Sequence, residues 1–257
     1  MTNTIEPTEK LGDLVTKDPG RARPFELLKL DYCCGGQRTL AEACAQRGLD
    51  TATVIAMLVG LQEGSSAPRA EAHDVARATI AGLCDHIVEA HHERLRRDLP
   101  RITELLAKVA RAHGKGHREL YDLQRLFAGM RSNLEEHLAT EEETLFPACR
   151  ALEESGHGPE LDEALLAHEG EHDEVGAALT ALRELAGDYR LEDALCGTHR
   201  VLLHSLHDLE LDTHQHVHEE NNVLFPRVRE RLAAGQGPVP RGDRTSGWTH
   251  AAGRDRL

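Results

Sequence analysis

The chain has 257 residues, a net charge of −14, and a composition that is 40% hydrophobic but only 3% aromatic. The acidic balance argues against a nucleic-acid partner, which would need a basic protein surface. No apolar run reaches the roughly 20 residues of a membrane span, and the amino terminus lacks the basic-then-apolar order of a secretory signal. Six cysteines without disulfide-type spacing indicate a reducing compartment, so we expect a cytoplasmic protein.

In chain order, the sequence predicts an all-α protein, because its core must be built mainly from aliphatic side chains. Residues 1–63 contain short amphipathic segments and predict a small helical, cysteine-bearing domain. Residues 64–70 are small and polar and predict a linker. Residues 71–234 contain four longer segments with helical spacing, which predict an up-and-down four-helix bundle, with a kink or break at Pro100. Residues 235–257 have few apolar side chains and predict a mobile tail.

The bundle segment contains the motif His-x3-Glu-x3-Leu-Phe-Pro twice. The first copy, EEHLATEEETLFP, holds His137 and Glu141, and the second, HQHVHEENNVLFP, holds His216 and Glu220. Residues four apart lie one turn apart on the same face of a helix, so each His–Glu pair can reach one common centre. A chance polar face would not keep this register twice, so the repeat predicts a metal site between the second and fourth bundle helices.

The first and third bundle helices should supply further ligands. The third offers His172 in EGEHDEVG, and the first offers His86 in LCDHIVEAHHE, between Leu83 and Ile87. Two carboxylates can bridge two metal ions, and a nitrogen and oxygen donor set without thiolate favours iron, with manganese or zinc as alternatives. Ferritin-like bundles use Glu-x-x-His instead, which these helices lack. The predicted ligands are His86, His137, Glu141, His172, His216 and Glu220.

Other histidines are weaker candidates. His214 and His218 flank His216 by two residues and should point to the surface. One of His91 and His92 is a candidate to hydrogen-bond to a metal ligand and orient it, without binding the metal itself. Whether His168, four residues before His172, adds a fifth imidazole stays open.

Cys33 and Cys34 form an adjacent pair that is followed by two glycines and a helix-like segment. A helix amino terminus lowers thiol pKa values, so we expect thiolate character and a redox, metal-relay or nitrosyl-accepting role. The alternative is that one cysteine is simply buried in the small domain, since free cysteine packs well. The other four cysteines lie in apolar helical contexts and are predicted to be in the core: Cys44, Cys84, Cys149 and Cys196.

The motifs DYCCGGQRTL, DHIV, EHDEVG and HVHEENNVLFP, together with His137 and Glu141, resemble the iron–sulfur cluster repair di-iron proteins, the ScdA/YtfE-like family. The likeness covers about residues 8 to 230. It implies a short DYCCGG domain joined to a hemerythrin-like bundle that holds two iron ions, bridged by an oxo group. It also implies that His86, His137, His172 and His216 are terminal iron ligands, while Glu141 and Glu220 bridge the two ions.

The resemblance implies repair of clusters damaged by nitric oxide or oxidants, through iron donation or handling of nitric oxide. The partners would be iron–sulfur client proteins and diatomic ligands such as nitric oxide or oxygen, and a homodimer is left open. Two other functions remain: a hemerythrin-like carrier or sensor of oxygen or nitric oxide, and a nitric oxide reductase or scavenger. Whether the protein is an enzyme is therefore undecided at this stage.

Overall fold

The computed structural model describes residues 4–64, 75, 77–156 and 161–234. Within these ranges the regular structure is helical, apart from one isolated bridge between Lys10 and Thr39. The predicted all-α class is therefore confirmed. None of the described helices combines the length and apolar character needed to cross a membrane. The predicted cytoplasmic location stays a prediction.

Four short helices build the amino-terminal part of the chain. Their common core contains Leu11, Phe25 and Leu40, none of which is exposed to solvent. Thr39 caps the third of these helices in a reciprocal capping box with Glu42, which fixes where that helix begins. The helices are α1 (Leu11–Lys17), α2 (Ala22–Leu27, preceded by a 3-10 turn at Pro19–Arg21), α3 (Leu40–Arg47) and α4 (Thr51–Gly64).

Four long helices follow and form the bundle, and three of them contain a π turn. Bundle helix 1 comprises α5 (Ile80–Ile87), a π turn (Val88–His92) and α6 (Glu93–His113). Bundle helix 2 comprises α7 (Glu119–Thr140), a π turn (Glu141–Leu145) and α8 (Phe146–Ser155). Bundle helix 3 is α9 (Leu161–Leu185), which is followed by 3-10 turns at Gly187–Tyr189 and Leu191–Asp193. Bundle helix 4 comprises α10 (Gly197–Glu219), a π turn (Glu220–Leu224) and α11 (Phe225–Ala234).

Of the predicted kink or break at Pro100, the break is wrong, because α6 runs through this residue, and the kink stays a prediction. A proline inside a helix loses one backbone hydrogen bond. Its neighbours Leu99 and Ile102 are fully buried against the other bundle helices, and this burial keeps the helix continuous. The predicted linker, apart from Gly64, and the predicted tail lie outside the described residues, so the domain boundaries stay predictions.

Two apolar clusters fill the bundle, with a polar layer between them. The long apolar layer includes Leu99, Phe127 and Leu206, and the short apolar layer includes Leu83, Phe146 and Phe225. On bundle helices 1, 2 and 4, a π turn overlaps the stretch between the two clusters, which runs from Ile87 to Leu95, from Leu138 to Leu145 and from Leu209 to Val223. The polar layer contains the histidines and glutamates of the repeated motif.

Candidate metal centre

The π turns set the positions of the acidic side chains in the polar layer. Glu141 and Glu220 are the first residues of their π turns, and each turn is followed by Phe-Pro. Proline has no backbone N–H to return to the preceding turn, so a regular α-helical bond is lost there and a wider turn is favoured. Single π turns inside α-helices occur often at functional sites.

Six buried side chains meet in the polar layer and form two overlapping groups of donor atoms. In each group the donor atoms lie within 4.8 Å of one another. We call them site 1 (His92, His216, Glu141 and Glu220) and site 2 (His137, His172, Glu141 and Glu220).

In site 1, Nε2 of His92 lies 3.2 Å from Nε2 of His216 and 3.3 Å from Oε2 of Glu141. In site 2, Nε2 of His137 lies 3.1 Å from Nε2 of His172 and 3.0 Å from Oε1 of Glu141. The two sites therefore repeat the same arrangement of two imidazoles and a shared carboxylate.

Each carboxylate spans both sites. Glu141 directs Oε1 towards His137 and Oε2 towards His92. Glu220 directs Oε1 towards His216, at 3.2 Å, and Oε2 towards His172, at 3.1 Å. One oxygen of each glutamate thus belongs to one site and the second oxygen to the other site, which is the geometry of a carboxylate that bridges two cations.

The donor set fits metal ions rather than a hydrogen-bonded network. All four carboxylate oxygens of Glu141 and Glu220 are buried and form no hydrogen bond, although imidazoles lie beside them. Two donors that each lie about 2.1 Å from an ion, at angles of about 90–109°, are roughly 3.0–3.4 Å apart. Six separations of 3.0–3.3 Å in the two sites fall in this range, whereas Nε2 of His216 lies 3.9 Å from Oε2 of Glu141. Buried carboxylates without hydrogen bonds are costly unless a cation is bound.

Three of the four imidazoles are fixed from behind through Nδ1. This atom of His92 lies 2.6 Å from Oε1 of Glu142, and that of His137 lies 2.5 Å from Oε2 of Glu171. Nδ1 of His172 lies 2.8 Å from Oδ1 of Asn221. Such acceptors hold the proton on Nδ1, so that Nε2 keeps a lone pair for a metal. Nδ1 of His216 has no hydrogen-bond partner.

The electrostatics favour ionised glutamates. Burial acts to raise the pKa of Glu220, yet the imidazoles of His216 and His172 hold this pKa well below its usual value. Burial likewise acts to lower the pKa of His137, but Glu141 and Glu171 raise it to about 10. The polar layer therefore contains buried, charged side chains.

Five of the six side chains predicted as ligands meet in this layer, but His86 does not. The structure places His92 there instead, and Nε2 of His86 lies 3.3 Å from Oε2 of Glu219. Leu95 and Leu99 mark the inward face of bundle helix 1, and His92 continues this face by one turn. The π turn at Val88–His92 separates His86 from this stripe, and His86 lies on a neighbouring face of the helix, beside Glu219 of bundle helix 4. Extending the apolar stripe backwards would have found His92 in the sequence.

The prediction that His214 and His218 are surface residues is wrong, because the amino-terminal helices cover this face. His218 is 5% exposed, and its Nδ1 lies 3.4 Å from the carbonyl oxygen of Tyr32. Nδ1 of His214 lies 2.7 Å from Oε1 of Glu26. His168 is buried, and its Nδ1 lies 3.4 Å from Nδ1 of His137, on the side of that ring away from site 2.

The two adjacent cysteines lie against bundle helix 3. Cys34 Sγ donates to the carbonyl oxygen of His172 at 3.5 Å, and Cys33 Sγ donates to Oδ1 of Asp31 at 3.4 Å. The predicted thiolate is wrong for Cys33, since a hydrogen bond with Cys34 and burial raise its pKa well above the usual value. The helix that follows the pair, α3, begins only at Leu40, and Thr39 caps its first turn.

The other cysteines divide between the core and a helix end. Cys44, Cys84 and Cys149 are fully buried, which confirms their predicted place in the core. Cys196 is half-buried and caps α10, where its Sγ accepts from the backbone N–H of His199. The prediction for this cysteine is therefore wrong.

Comparisons with known proteins place this geometry in a family. A family model described as the hemerythrin HHE cation binding domain matches residues 83–228, and one named ScdA_N, described as a domain of unknown function, matches residues 7–62. The iron-sulfur cluster repair protein ScdA of Staphylococcus haemolyticus is 32% identical over 223 residues, which cover 84% of this chain and 95% of that protein.

Two further relatives are similarly close. ScdA of Staphylococcus epidermidis RP62A is 30% identical over 224 residues, covering 85% of this chain and 96% of its own length. The iron-sulfur cluster repair protein YtfE of Escherichia coli O17:K52:H18 is 31% identical over 220 residues, covering 86% and 96%.

The fold and the polar layer thus define a hemerythrin-like, cation-binding four-helix bundle with a ScdA-type amino-terminal domain. Because the similarity extends over most of both chains, the protein belongs to the iron–sulfur cluster repair family that includes ScdA and YtfE. The resemblance found in the sequence motifs is therefore confirmed.

Proposed function

We propose that this protein is a non-haem di-iron protein that repairs iron–sulfur clusters damaged by nitric oxide or oxidants. The observation that carries the proposal is the pair of buried carboxylates, Glu141 and Glu220, each of which faces two imidazole pairs without a hydrogen bond on either oxygen. The relatives that cover most of the chain bear the name iron-sulfur cluster repair protein.

Imidazole and carboxylate donors without thiolate suit iron, and the proposed occupants are two iron ions bridged by an oxo group. When bound, such a pair supplies redox-active cations that can be taken up, released, or coordinated by a diatomic ligand. The proposed ligands are the six side chains of the polar layer: His92, His137, His172, His216, Glu141 and Glu220.

The surroundings of these ligands suggest which of them can move. Glu142, Glu171 and Asn221 hold the imidazoles of His92, His137 and His172 in place. No protein hydrogen bond holds the oxygens of Glu141 or Glu220. Glu141 and Glu220 would therefore be the ligands that can shift when a metal ion is bound or released, while those imidazoles would stay in position. This combination suits a protein that releases iron without unfolding.

A path for small ligands lies beside site 2. A cavity of about 270 Å³ reaches His137 and Glu171 between bundle helices 2 and 3. Nitric oxide or oxygen is small enough to approach the centre through such a cavity. Glu171 is half exposed, so it can connect His137 with solvent.

We assign the client-facing role to the cysteine pair. Cys34 is the more exposed of the two thiols and lies in an open surface depression with Arg38 and Asp173. Its contact with the carbonyl of His172 places it beside the backbone of a proposed iron ligand. This position supports a role in receiving or delivering iron at the surface of a client, with Cys33 behind it.

The oxygen-carrier alternative would use His168 as an additional ligand. The imidazole of His168 instead faces Nδ1 of His137, the atom that points away from the proposed metal ion. The nitric oxide reductase alternative uses the same six ligands and differs by needing an electron donor and turnover. Neither alternative is favoured by a specific contact in the described residues.

The test is a repair assay in which an anaerobically prepared, iron-loaded protein is mixed with a dehydratase whose [4Fe–4S] cluster has been damaged by nitric oxide. We expect recovery of client activity with the iron-loaded protein and none with the metal-free protein or the Glu141→Gln variant. The Cys33→Ser/Cys34→Ser double variant should hold iron but lose repair.

Cys196→Ser is the matched control, because serine can still cap α10 and the position is remote from the thiol pair. A stable oxygen or nitric oxide adduct without any client recovery would contradict repair and favour the carrier. Turnover of nitric oxide with an added reductant, again without recovery, would favour the reductase.

A further inference from the structure

A second group of metal-type side chains lies beside the polar layer and outside both sites. His86 and His91 of bundle helix 1 face Glu219 of bundle helix 4, and their donor atoms lie within 4.8 Å of one another. Oε2 of Glu219 lies 3.3 Å from Nε2 of His86 and 3.6 Å from Nε2 of His91. The first separation is within the range of two ligands on one ion, and the second is slightly above it.

Two of these donor atoms are buried without a hydrogen bond, although they lie within ion-pair distance of each other. Nε2 of His91 and Oε2 of Glu219 form no hydrogen bond among the described residues, and His91 is 5% exposed. Buried polar atoms are normally hydrogen-bonded, so two of them that face each other need an explanation. A cation between them would satisfy both.

The ring of His91 is oriented as a metal ligand would be. Its Nδ1 lies 3.2 Å from Oδ1 of Asp212, which also accepts from Arg94 at 3.1 Å. A carboxylate behind a histidine holds the proton on Nδ1 and leaves Nε2 free to bind a metal. The carboxylates of Asp212 and Glu219 both face this ring, and they attract a cation to this position.

We propose that His86, His91 and Glu219 bind a third divalent metal ion, Fe²⁺, at an outer site through which iron reaches the central pair. Two imidazoles and one carboxylate form a donor set typical of mononuclear Fe²⁺, with the remaining positions open. The side chains of His86 and Glu219 are 22% and 17% exposed, so water can occupy those positions. The role in iron uptake rests on the proposed function, whereas the site itself does not.

The outer site is next to site 1 along two helices. His91 precedes His92, Glu219 precedes Glu220, and the rings of His91 and His216 are stacked at 5.5 Å with an interplanar angle of 17°. Binding is a ligand exchange, in which hydrated Fe²⁺ loses water and gains two nitrogens and one oxygen without a change of oxidation state. Repulsion from a filled central pair makes this ion the weakest-bound of the three.

The experiment is an anaerobic titration of the metal-free protein with Fe²⁺, in which bound iron per chain and the rate of filling of the central pair are both measured. We expect three equivalents for the unmodified protein, the third being weakest. His86→Ala and Glu219→Gln should weaken the third equivalent by at least about 100-fold, while two equivalents remain. Both variants should also fill the central pair more slowly.

His204→Ala is the matched control, because His204 is exposed on α10. The contact of its imidazole, Asp208, lies one turn further along the same helix. Binding of only two equivalents by the unmodified protein, or of three by both variants, would overturn the site. Loss of the third equivalent with an unchanged filling rate would overturn its role in uptake. Failure of client repair by a protein that binds three equivalents would count against the proposed function alone.

Discussion

The long apolar layer and the polar layer belong to the same four helices, yet they differ in regularity. In the long apolar layer, Leu95, Leu99, Ile102 and Leu106 follow the helical repeat and are at most 2% exposed. In the polar layer, three of the four helices change to a π turn. Regular helix therefore supplies a rigid, packed layer, while the π turns position the metal-ligand side chains.

The two layers also differ in what their burial costs. Buried aliphatic side chains stabilise the fold in proportion to the area removed from water. Buried carboxylates without hydrogen bonds destabilise it unless a cation compensates them. The polar layer keeps its geometry because an apolar layer packs against it on each side.

The largest effect should follow from loss of the bridging carboxylate. Glu141→Gln removes one ligand from both sites at once, so we expect both ions to be lost. With free iron at about a thousand times Kd, the native state gains about 4 kcal/mol from binding, and the variant should lose this gain. The measurement is iron content together with urea unfolding in the presence and absence of Fe²⁺.

Glu143→Gln is the control for this change, because Glu143 lies in the same π turn but is exposed. It should bind two ions and keep the iron-dependent gain in stability. Full iron binding by Glu141→Gln would mean that Glu141 is not a shared ligand.

A comparable loss of stability, but without loss of iron, should follow from a cavity in the long apolar layer. Leu206→Ala removes a side chain that is 1% exposed, and such changes cost about 2–5 kcal/mol. The iron content should not change, because Leu206 lies ten residues before His216, about 15 Å along the helix. Val201→Ala, at a position 48% exposed, should change stability by less than about 0.5 kcal/mol. Loss of iron in Leu206→Ala would show that the two layers are not separable.

The same comparison explains how much the sequence could predict. The fold class and the roles of His137 and Glu141 as neighbours followed from spacing, since residues four apart share one face of a helix. The duplicated motif likewise placed His216 and Glu220 together with them. These features are local, so a one-dimensional pattern contains them.

The features that the sequence did not predict depend on which face each helix turns inward and on which other helices pack over it. The choice of His86 over His92 came from its place between Leu83 and Ile87 rather than from continuing the stripe that begins at Leu95. The π turn at Val88–His92 has no clear signal in the sequence, as no proline follows it directly. The burial of His214 and His218 depends on the amino-terminal helices, which no helical pattern in α10 reveals.

An intermediate effect should follow from the acceptor behind His137. Glu171→Gln weakens the hold on Nδ1 of this imidazole, and such changes typically cost 10–100-fold in metal affinity, or about 1.4–2.7 kcal/mol. The loss should concern the ion of site 2 more than that of site 1, because Glu171 does not contact His92 or His216. Glu174→Gln, an exposed neighbour on α9, is the control. Competition with a chelator measures both affinities, and equal weakening of the two ions would contradict the assignment.

The smallest effect should occur where the amino-terminal helices meet the π turn of bundle helix 4. Nδ2 of Asn222 donates to the carbonyl oxygens of Cys33 at 2.9 Å and Tyr32 at 3.3 Å. Gly12 and Gly36 allow this approach, since a Cβ on either would lie 2.3 Å from Oδ1 of Asn222. The amide therefore connects the thiol-bearing loop to the turn that begins at Glu220.

Asn222→Ala should lower the free energy of unfolding by about 1 kcal/mol, the usual net contribution of a hydrogen bond. Its iron content should not change, because Asn222 is not a donor in either site, whereas protease cleavage of the loop around Cys33 should become faster. Gln37→Ala removes a 3.5 Å contact with the same amide and an exposed hydrogen bond from Lys10, and it should change neither property. Unchanged cleavage in Asn222→Ala would mean that packing of Tyr32 against His218, at 5.5 Å between ring centroids, holds the loop without the amide.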